Sequence, residues 1–236
     1  MGKEAKKLRH IAVIMDGNGR WAEQHKLERI EGHKKGSEVV IDIVKAAKEI
    51  GLEYLTLYAF STENWKRPSF EVNGLMNILN DFLTVRLHEL MENDVRLKTV
   101  GRTEQLPESV RRNLSDAIRK TADNKCGTLV LALSYGGRAE IVDAVKKIVK
   151  EANDGKIKSK DVDEARFARY LYDPEIPDPD LMIRTSGEYR ISNFLLWQLS
   201  YSELYITDTL WPDFNKVEFN KAVDAYKMRN RRFGGR

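Results

Sequence analysis

The segment HIAVIMDGNGRWA, residues 10–22, constrains the fold of this chain more than any other stretch. Its apolar run, residues 11–15, predicts a buried strand that ends at the carboxylate of Asp16. A glycine-rich turn follows at residues 17–19 and can open a helix. Glycines let backbone N–H groups approach an anion closely, and a helix N-terminus adds a favourable dipole. The segment contains neither GxxxxGK[ST] nor GxGxxG, the common phosphate-binding loops.

Two charged side chains of this segment favour a site for a metal ion and a phosphate. Arg20 offers the fixed fork of donors that matches a phosphate group. Asp16 can hold a hard cation such as Mg²⁺, which keeps several waters and shares substrate phosphates. On these residues alone, an ordinary strand-to-helix turn remains an equal alternative.

Apolar runs that predict strands alternate with stretches of helical periodicity along the whole chain. We predict strands at residues 11–15, 54–60, 95–100, 128–134, 181–184 and 203–206. We predict helices at residues 37–50, 72–91, 107–123, 139–153, 162–170 and 214–229. Strict alternation predicts the α/β class, with a mostly parallel central sheet and helices on both faces. We expect a single domain over residues 1–236, with a frayed N-terminus at residues 1–9.

Composition excludes several classes of protein. The chain is 42% hydrophobic and 32% charged, and its single cysteine, Cys126, excludes an intrachain disulfide. No Cys/His cluster offers a zinc site, and no apolar run of about 18 residues predicts a membrane span. The net charge of +4 arises from 40 basic and 36 acidic residues with interspersed signs, and no recognition motif supports nucleic-acid binding. With no stretch of signal-peptide type, we expect a cytoplasmic protein.

The chain resembles the cis-prenyltransferases, the family of undecaprenyl diphosphate synthase. Beyond residues 10–22, the similar segments in family order are RIEGHKKG (29–36), YAFSTENWKRP (58–68), LSYGGRAEI (133–141), IRTSGEYRISNFLLWQLSYSELY (183–205), LWPDF (210–214) and RRFGG (231–235). The resemblance implies the family's fold, with a hydrophobic product tunnel. It also implies Mg²⁺-dependent, sequential condensation of isopentenyl diphosphate with an allylic diphosphate, expected to be farnesyl diphosphate. The product would be a long-chain cis-polyprenyl diphosphate such as undecaprenyl diphosphate.

Two alternatives share the same fold. A short-chain cis-prenyl diphosphate synthase would differ in the residues that line the tunnel. A non-catalytic partner subunit would lack the carboxylate at the Asp16 position and the arginines. Both features are present here, which argues against a non-catalytic subunit.

Polar side chains follow several predicted strands, where the ligands of an open parallel sheet bind. The resemblance assigns Asp16 and Asn64 as catalytic and Asp16 and Glu203 as metal ligands. It assigns to substrate binding Gly17, Asn18, Gly19, Arg20, Trp21, Arg29, His33, Ser61, Thr62, Glu63, Trp65, Arg67, Arg184, Arg190, Ile191 and Ser192. Among these, Asn64 lies near the proton removed after condensation, but an amide does not titrate usefully. The leaving diphosphate is the better physical candidate for the base.

Two clusters of these residues suit diphosphates. Arg29 and His33 are four residues apart, so they share a helix face and can clamp a diphosphate. A solvated basic face with the neighbouring lysines is the alternative, which the resemblance disfavours. The second cluster is Arg184, Arg190 and Ser192, which the resemblance assigns to isopentenyl diphosphate. On the residues alone, structural salt bridges to neighbouring carboxylates explain these arginines equally well.

Two other assignments have structural alternatives. Glu203 lies among apolar residues, so it is either the second metal ligand or half of a buried ion pair. Trp65 and Arg67 lie in a polar segment, residues 61–72, which we expect to be a mobile loop that closes over a ligand. Anchoring of Trp65 onto the neighbouring helix is the alternative.

The apolar stripe at residues 75–90 belongs to the core or, in part, to the product tunnel. Ala59 is small, and in the family a small residue at this position leaves room for elongation. We also expect a homodimer, on the resemblance of RRFGG to the family's C-terminal tail and on the apolar residues of LWPDF and the late helices. Release of a long apolar product predicts transient contact with the membrane surface, at its inner face.

Overall fold

Six parallel strands form the centre of the structure, a computed structural model that describes residues 7–229. The strands are β1 (His10–Ile14), β2 (Tyr54–Ser61), β3 (Arg96–Val100), β4 (Thr128–Tyr135), β5 (Leu181–Arg184) and β6 (Glu203–Ile206). Their order in the sheet is β3-β4-β2-β1-β5-β6, and each neighbouring pair is parallel. The predicted α/β class with a parallel sheet is confirmed, and all six predicted strands are present within one or two residues.

Eight α-helices surround this sheet in the described part of the chain. They are α1 (Asn18–Gln24), α2 (Arg29–Glu49), α3 (Ser69–Thr84), α4 (Leu87–Glu92), α5 (Glu108–Lys120), α6 (Gly137–Asn153), α7 (Glu164–Ala168) and α8 (Lys216–Lys227). Side chains of β1 alternate between the two faces of the sheet. Ile11 and Val13 join the larger apolar cluster, which includes residues of α2, α3, α5 and α8. Ala12 and Ile14 join a second cluster on the opposite face, with Phe194 and Leu199.

The helix α2 begins eight residues earlier than predicted. The first two turns contain polar side chains and two glycines, which weaken a helical prediction. Gly32 is required because a Cβ atom there would overlap the carbonyl oxygen of Asn18. The glycine thus lets α2 pack directly on the start of α1, a tertiary contact that local periodicity does not reveal.

The single helix predicted at residues 72–91 is wrong, because α3 and α4 are separate. The chain leaves the helix at Val85, and the N–H of Arg86 reaches back five residues to the carbonyl of Asp81. The apolar stripe continues across the break, since Leu87 and Leu90 of α4 are buried. The apolar pattern of residues 72–91 therefore predicted correctly that one side of this segment is buried. It did not reveal that the helix is interrupted.

Two further expectations on organisation also need correction. Strict alternation fails between β5 and β6, where the described chain forms turns and no helix. Within the segment predicted to be frayed, residues 7–9 are held: Lys7 and Arg9 each pair with Glu53, at 2.9 and 2.8 Å. Residues 1–6 lie outside the described part. Over residues 7–229, every helix is too short or too polar to cross a membrane.

Candidate active site

The carboxyl ends of the neighbouring strands β1 and β5 bring Asp16 and Arg184 together. Arg184 is the last residue of β5 and pairs in register with Ile14. Its Nη2 donates to Asp16 Oδ2 at 2.7 Å, while Asp16 Oδ1 accepts the N–H of Gly17 at 2.7 Å. Arg184 is 3% exposed and the Asp16 side chain 30% exposed. The charge of the Asp16 carboxylate is therefore balanced by the buried guanidinium of Arg184, while part of the carboxylate remains exposed to solvent.

Thr185 fixes the backbone of Asp16. Its Oγ1 accepts the N–H of Asp16 at 2.8 Å and donates to the carbonyl oxygen of Asp16 at 2.6 Å. Sequence reasoning missed this residue, although it directly follows Arg184. The signal was a hydroxyl side chain at the carboxyl end of a buried strand, beside a charged one.

The glycine turn has the tight geometry that its residues predict. Gly17 has a φ of 104°, in the left-handed region that favours glycine, and a Cβ there would lie 2.8 Å from Leu210. Gly19 lies against Arg29, because a Cβ would be 3.2 Å from its guanidinium. The turn thus places the helix α1, the carboxylate of Asp16 and the first turn of α2 in contact.

Glu188 joins two arginines, Arg20 and Arg190, which the resemblance assigns to substrate binding. It accepts from Arg20 Nη2 at 3.2 Å and forms an ion pair with Arg190. Arg20 also donates to Ser186, through both the carbonyl oxygen and the hydroxyl. Arg190 is 58% exposed, so its guanidinium is available to a ligand. The predicted alternative, a structural salt bridge to Glu188, is thus present together with an accessible cation.

A second group of charges is formed by Glu71, Arg29 and Arg67. Glu71, in the first turn of α3, forms an ion pair with Arg29 at 3.1 Å and accepts a hydrogen bond from Arg67 Nη1 at 2.8 Å. Two predicted phosphate-binding arginines are thereby held side by side by a carboxylate that sequence reasoning missed. Its signal was the spacing of Arg67 and Glu71, four residues apart at a helix start.

These charges surround a polar cavity of about 230 Å³. The lining residues are Met15, Asp16, Gly17, Asn18, Gly19, Arg20, Glu23, Arg29, His33 and Arg67. The two lysines of the alternative basic face do not line this cavity. Lys34 pairs with Glu31 and Lys35 pairs with Glu38 on the surface. The structure therefore separates the two lysines from Arg29 and His33 and places only the latter at the cavity.

The 3₁₀ helix Thr62–Lys66 occupies the segment predicted to be a mobile loop. The side chain of Asn64 accepts the N–H of Ser61 at 3.0 Å and so closes the first turn of this helix. Trp65 is partly buried. Its indole donates to Ser134 Oγ at 2.9 Å and its ring packs against Phe60, with centroids 4.8 Å apart. Anchoring is thus the correct alternative, although the anchors are β2 and β4 and not a helix.

An apolar cavity of about 170 Å³ adjoins the polar one. Four residues line both cavities: Met15, Asn18, His33 and Arg67. The apolar part extends between α2, α3 and the sheet, and its lining includes Ala59, Asn64, Leu75, Met76, Leu79 and Phe82. A polar cavity that adjoins an apolar cavity suits a ligand with a charged head and a hydrocarbon tail.

His33 lies at the junction of the two cavities, and its pKa is lowered from 6.5 to about 4. Burial is the main cause, because it penalises the charged ring, and the guanidinium groups of Arg67 and Arg29 lower the pKa further. His33 Nε2 is buried and has no hydrogen-bond partner among the described residues. At neutral pH the ring is therefore neutral and offers an unused polar nitrogen to a ligand.

We expect an NMR titration of His33 in the free protein to have its midpoint near pH 4. Inorganic pyrophosphate with Mg²⁺ should raise that pKa, because an anion in the polar cavity stabilises the charged ring. Between pH 6.5 and 4 the unfolded chain binds a proton at His33 that the folded chain does not. The free energy of unfolding is therefore unaffected by His33 above pH 6.5 and decreases as the pH falls from 6.5 to about 4. A midpoint near 6.5 in the free protein, or no response to pyrophosphate, would contradict the assignment.

The structure does not bring Glu203 to Asp16. Glu203 begins β6 and pairs in register with Leu181, at the opposite end of β5 from Arg184. Three strand positions separate these two registers, which is about 10 Å. The carboxylate instead pairs with Arg229 at 2.9 Å. Within one chain Glu203 thus forms an ion pair, partly exposed and not buried as the alternative expected, and its assignment as a metal ligand together with Asp16 stays a prediction that this geometry does not support.

Several other predicted residues lie beside the cavities without lining them. Trp21 stacks on His25 and donates to Asp213 at 2.8 Å. Glu63 accepts from Thr62 and from Asn193, at 3.1 and 2.9 Å. Ile191 packs in the second apolar cluster, and Ser192 Oγ accepts from Arg184 at 2.7 Å. We interpret these residues as the support of the site.

The residues present fit a magnesium ion that is shared with a substrate. The structure describes no group of three or more His, Cys, Asp or Glu side chains suited to a metal ion within residues 7–229. Mg²⁺ in phosphate-handling sites commonly uses one or two carboxylates, waters and the substrate's own phosphates. Asp16, partly exposed and facing the polar cavity, supplies one such carboxylate. The donor set suits an ion that arrives with a diphosphate.

Known proteins resemble this chain over almost its whole length. Residues 14–234 match the family described as putative undecaprenyl diphosphate synthase. An isoprenyl transferase of Heliobacterium mobile is 50% identical over 96% of this chain and 87% of its own length. The ditrans,polycis-undecaprenyl-diphosphate synthase ((2E,6E)-farnesyl-diphosphate specific) of Micrococcus luteus is 49% identical over 96% and 91%. The crystal structure of lavandulyl diphosphate synthase from Lavandula x intermedia, in complex with dimethylallyl diphosphate, superimposes with a TM-score of 0.94 at 37% identity, covering 96% and 98%.

Proposed function

The chain belongs to the cis-prenyltransferase family of undecaprenyl diphosphate synthase and is a prenyl-transferring enzyme, and we propose that it makes a long-chain cis-polyprenyl diphosphate. The substrates would be isopentenyl diphosphate and, as the first acceptor, farnesyl diphosphate. The observation that carries this proposal is the polar cavity opening directly into an apolar one. The relative from Micrococcus luteus, named as specific for farnesyl diphosphate, supports the choice of acceptor.

We place the allylic diphosphate in the polar cavity. Arg20, Arg29 and Arg67 surround that space, and the neutral ring of His33 offers its free nitrogen. Charge develops on the diphosphate as the allylic C–O bond ionises, so fixed guanidinium groups stabilise this transition state more than the ground state. The hydrocarbon tail would extend into the apolar cavity, past Ala59.

We place the isopentenyl diphosphate near Arg190 and Ser192. Arg190 is exposed, and Arg184 links Ser192 to the carboxylate of Asp16. A magnesium ion held by Asp16 would polarise the phosphate oxygens and neutralise charge on the diphosphate. Asn64 lines the apolar cavity, where it can orient the reacting carbons. Since an amide is not a base, the released diphosphate would accept the proton.

The direct test is incubation with labelled isopentenyl diphosphate, farnesyl diphosphate and Mg²⁺, followed by sizing of the product. We expect a ladder of cis-polyprenyl diphosphates that ends at a long chain and disappears with a chelator. A wild-type product limited to one added unit would favour the short-chain alternative. That alternative has support in the likeness to a structure that holds dimethylallyl diphosphate.

Replacement of Ala59 should shorten the product. Each methylene that enters the apolar cavity contributes about 0.8 kcal/mol, so elongation proceeds until the space is blocked. The leucine of Ala59→Leu would fill part of a cavity beside the polar site, while the arginines stay in place. We therefore expect shorter chains with a nearly normal first condensation, measured by thin-layer chromatography. An unchanged length distribution would place the growing chain elsewhere.

We also propose that two copies of the chain associate. Val142, Val145 and Val149 are each nearly half exposed along one face of α6, and Leu204 of the edge strand β6 is 45% exposed. Such apolar side chains favour a covered surface. RRFGG, on which the prediction also rested, lies outside the described residues. Light scattering at micromolar concentration should give twice the chain mass, and a fully active monomer would contradict the proposal.

Release of the product is the last part of the proposal. A long apolar tail leaves the apolar cavity for water slowly, because its burial is favourable at every methylene. We expect detergent or lipid vesicles to raise the turnover rate, by transient contact with the membrane surface. Vesicles that leave turnover and product length unchanged would contradict this step.

A further inference from the structure

A chain of hydrogen-bonded side chains joins three neighbouring strand ends at the rim of the candidate active site. The order β3-β4-β2 places the segments that follow these strands next to one another. Trp65, after β2, donates its indole N–H to Ser134 Oγ at 2.9 Å, near the end of β4. Ser134 Oγ donates in turn to Gln105 Oε1 at 2.7 Å, in the segment after β3. We call these three side chains the rim chain.

Ser134 adopts a backbone conformation that serine disfavours. Its φ is 46°, in the left-handed region, and the residue is fully buried. A residue other than glycine persists there only where its surroundings hold it, and such outliers cluster at functional sites. Glycine would meet the backbone requirement but could not form either hydrogen bond. The two hydrogen bonds of the hydroxyl therefore explain why serine and not glycine occupies position 134.

The rim chain acts on the segment that carries two proposed substrate-contacting residues. Asn64 directly precedes Trp65 and lines the apolar cavity. Arg67 follows two residues later and lines both cavities. Trp65 packs against the larger apolar cluster, including the ring of Phe60, and its indole N–H donates to the hydroxyl of Ser134. The hydrogen bond is the directional contact among these, so its loss would leave the orientation of the indole to apolar packing.

We propose that Ser134 and Gln105 are positioning residues, which hold the 3₁₀ helix Thr62–Lys66 in register with the two cavities. Neither residue lines those cavities, so each acts through Trp65. The kinetic consequence rests on the proposed function, whereas the structural consequence does not. Misplacement of a reacting group by a fraction of an ångström lowers turnover strongly, which makes the rim chain a control on catalysis at a distance from the substrates.

Hydrogen exchange of the full-length protein tests the structural part. In Ser134→Ala, we expect the backbone amides of residues 64–67 to exchange about 3- to 10-fold faster, the range for one lost hydrogen bond. Trp65→Phe keeps an aromatic ring against Phe60, though a smaller one, and removes the N–H donor, so it should give at least the same increase. Thr99→Val is the matched control, because it removes a hydroxyl bond of 2.9 Å to Leu131 on the same sheet and should leave these amides unchanged. Unchanged exchange in Ser134→Ala would overturn the proposal.

A double-variant cycle tests the kinetic part. We expect Ser134→Ala and Trp65→Phe each to lower kcat about tenfold, with the double variant no worse than the worse single one. Gln105→Ala should have a smaller effect in the same direction. Ser134→Gly relieves the backbone and still lacks the hydroxyl, so it should lose as much activity as Ser134→Ala. The proposal would be overturned if the fold-losses in kcat of the two single variants multiplied in the double variant. A fully active Ser134→Gly variant would also overturn it. If wild-type protein transfers no prenyl groups, the proposed function fails, but the exchange result still decides the structural part.

Discussion

Replacement of Asp16 by alanine should lower turnover by about 10³-fold or more, while the chain still folds. Asp16 lines the polar cavity together with Arg20, Arg29 and Arg67, and it is the carboxylate that Arg184 and the glycine turn hold in place. Without it, the proposed magnesium ion loses its protein ligand, and several kcal/mol of electrostatic stabilisation of the leaving diphosphate are lost. Steady-state assays with isopentenyl and farnesyl diphosphates over a range of Mg²⁺ concentrations measure this loss.

A matched control separates the chemistry from the ion pair. Asp143 forms an aspartate–arginine pair with Arg102 at 2.8 Å, with both side chains about one quarter exposed, outside the two cavities. We expect Asp143→Ala to reduce stability in denaturant unfolding but to leave the turnover of folded protein nearly unchanged. Near-normal turnover of folded Asp16→Ala with Mg²⁺ would refute the role assigned to Asp16.

The sequence predicted the sheet more accurately than the helices for a physical reason. Strands buried on both faces appear as apolar runs bounded by polar turns, and residues 181–184, all buried, were predicted with their observed limits. The edge strand at residues 203–206 was also predicted with its observed limits, although its side chains are only partly buried. Helix ends depend on contacts between elements. The early start of α2 is set by Gly32 against Asn18, which no local pattern encodes.

The candidate site was predicted in part for a similar reason. The fold rule that ligands bind at the carboxyl ends of parallel strands brought Asp16 and Arg184 together correctly. The same rule does not support Glu203, because this residue begins β6 and lies at the amino ends of the strands. Residues that hold the site from behind, such as Glu71 and Thr185, were missed because their roles arise only from tertiary contacts.

The two arginines assigned to isopentenyl diphosphate should behave very differently when replaced. Arg184 is buried and donates to Asp16, to Ser192 and to the carbonyl oxygen of Arg190. Arg184→Met would leave the partly buried carboxylate without its partner, so we expect a loss of about 3 kcal/mol of stability as well as of turnover. Arg190 is exposed and pairs with Glu188, and such surface pairs contribute about 0–1 kcal/mol.

Arg190→Met should therefore fold with nearly wild-type stability and raise the KM for isopentenyl diphosphate about tenfold or more, because a charge-assisted contact with a phosphate is lost. Denaturant unfolding measures the first quantity, and initial rates with each diphosphate varied in turn measure the second. Equal stability losses in Arg184→Met and Arg190→Met would contradict the structural distinction. A rise in the KM for farnesyl diphosphate alone would show that the two diphosphates occupy each other's assigned places. The distinction follows from burial, since a guanidinium that must neutralise Asp16 is held in place whether or not substrate is bound, whereas Arg190 can leave Glu188 for a phosphate.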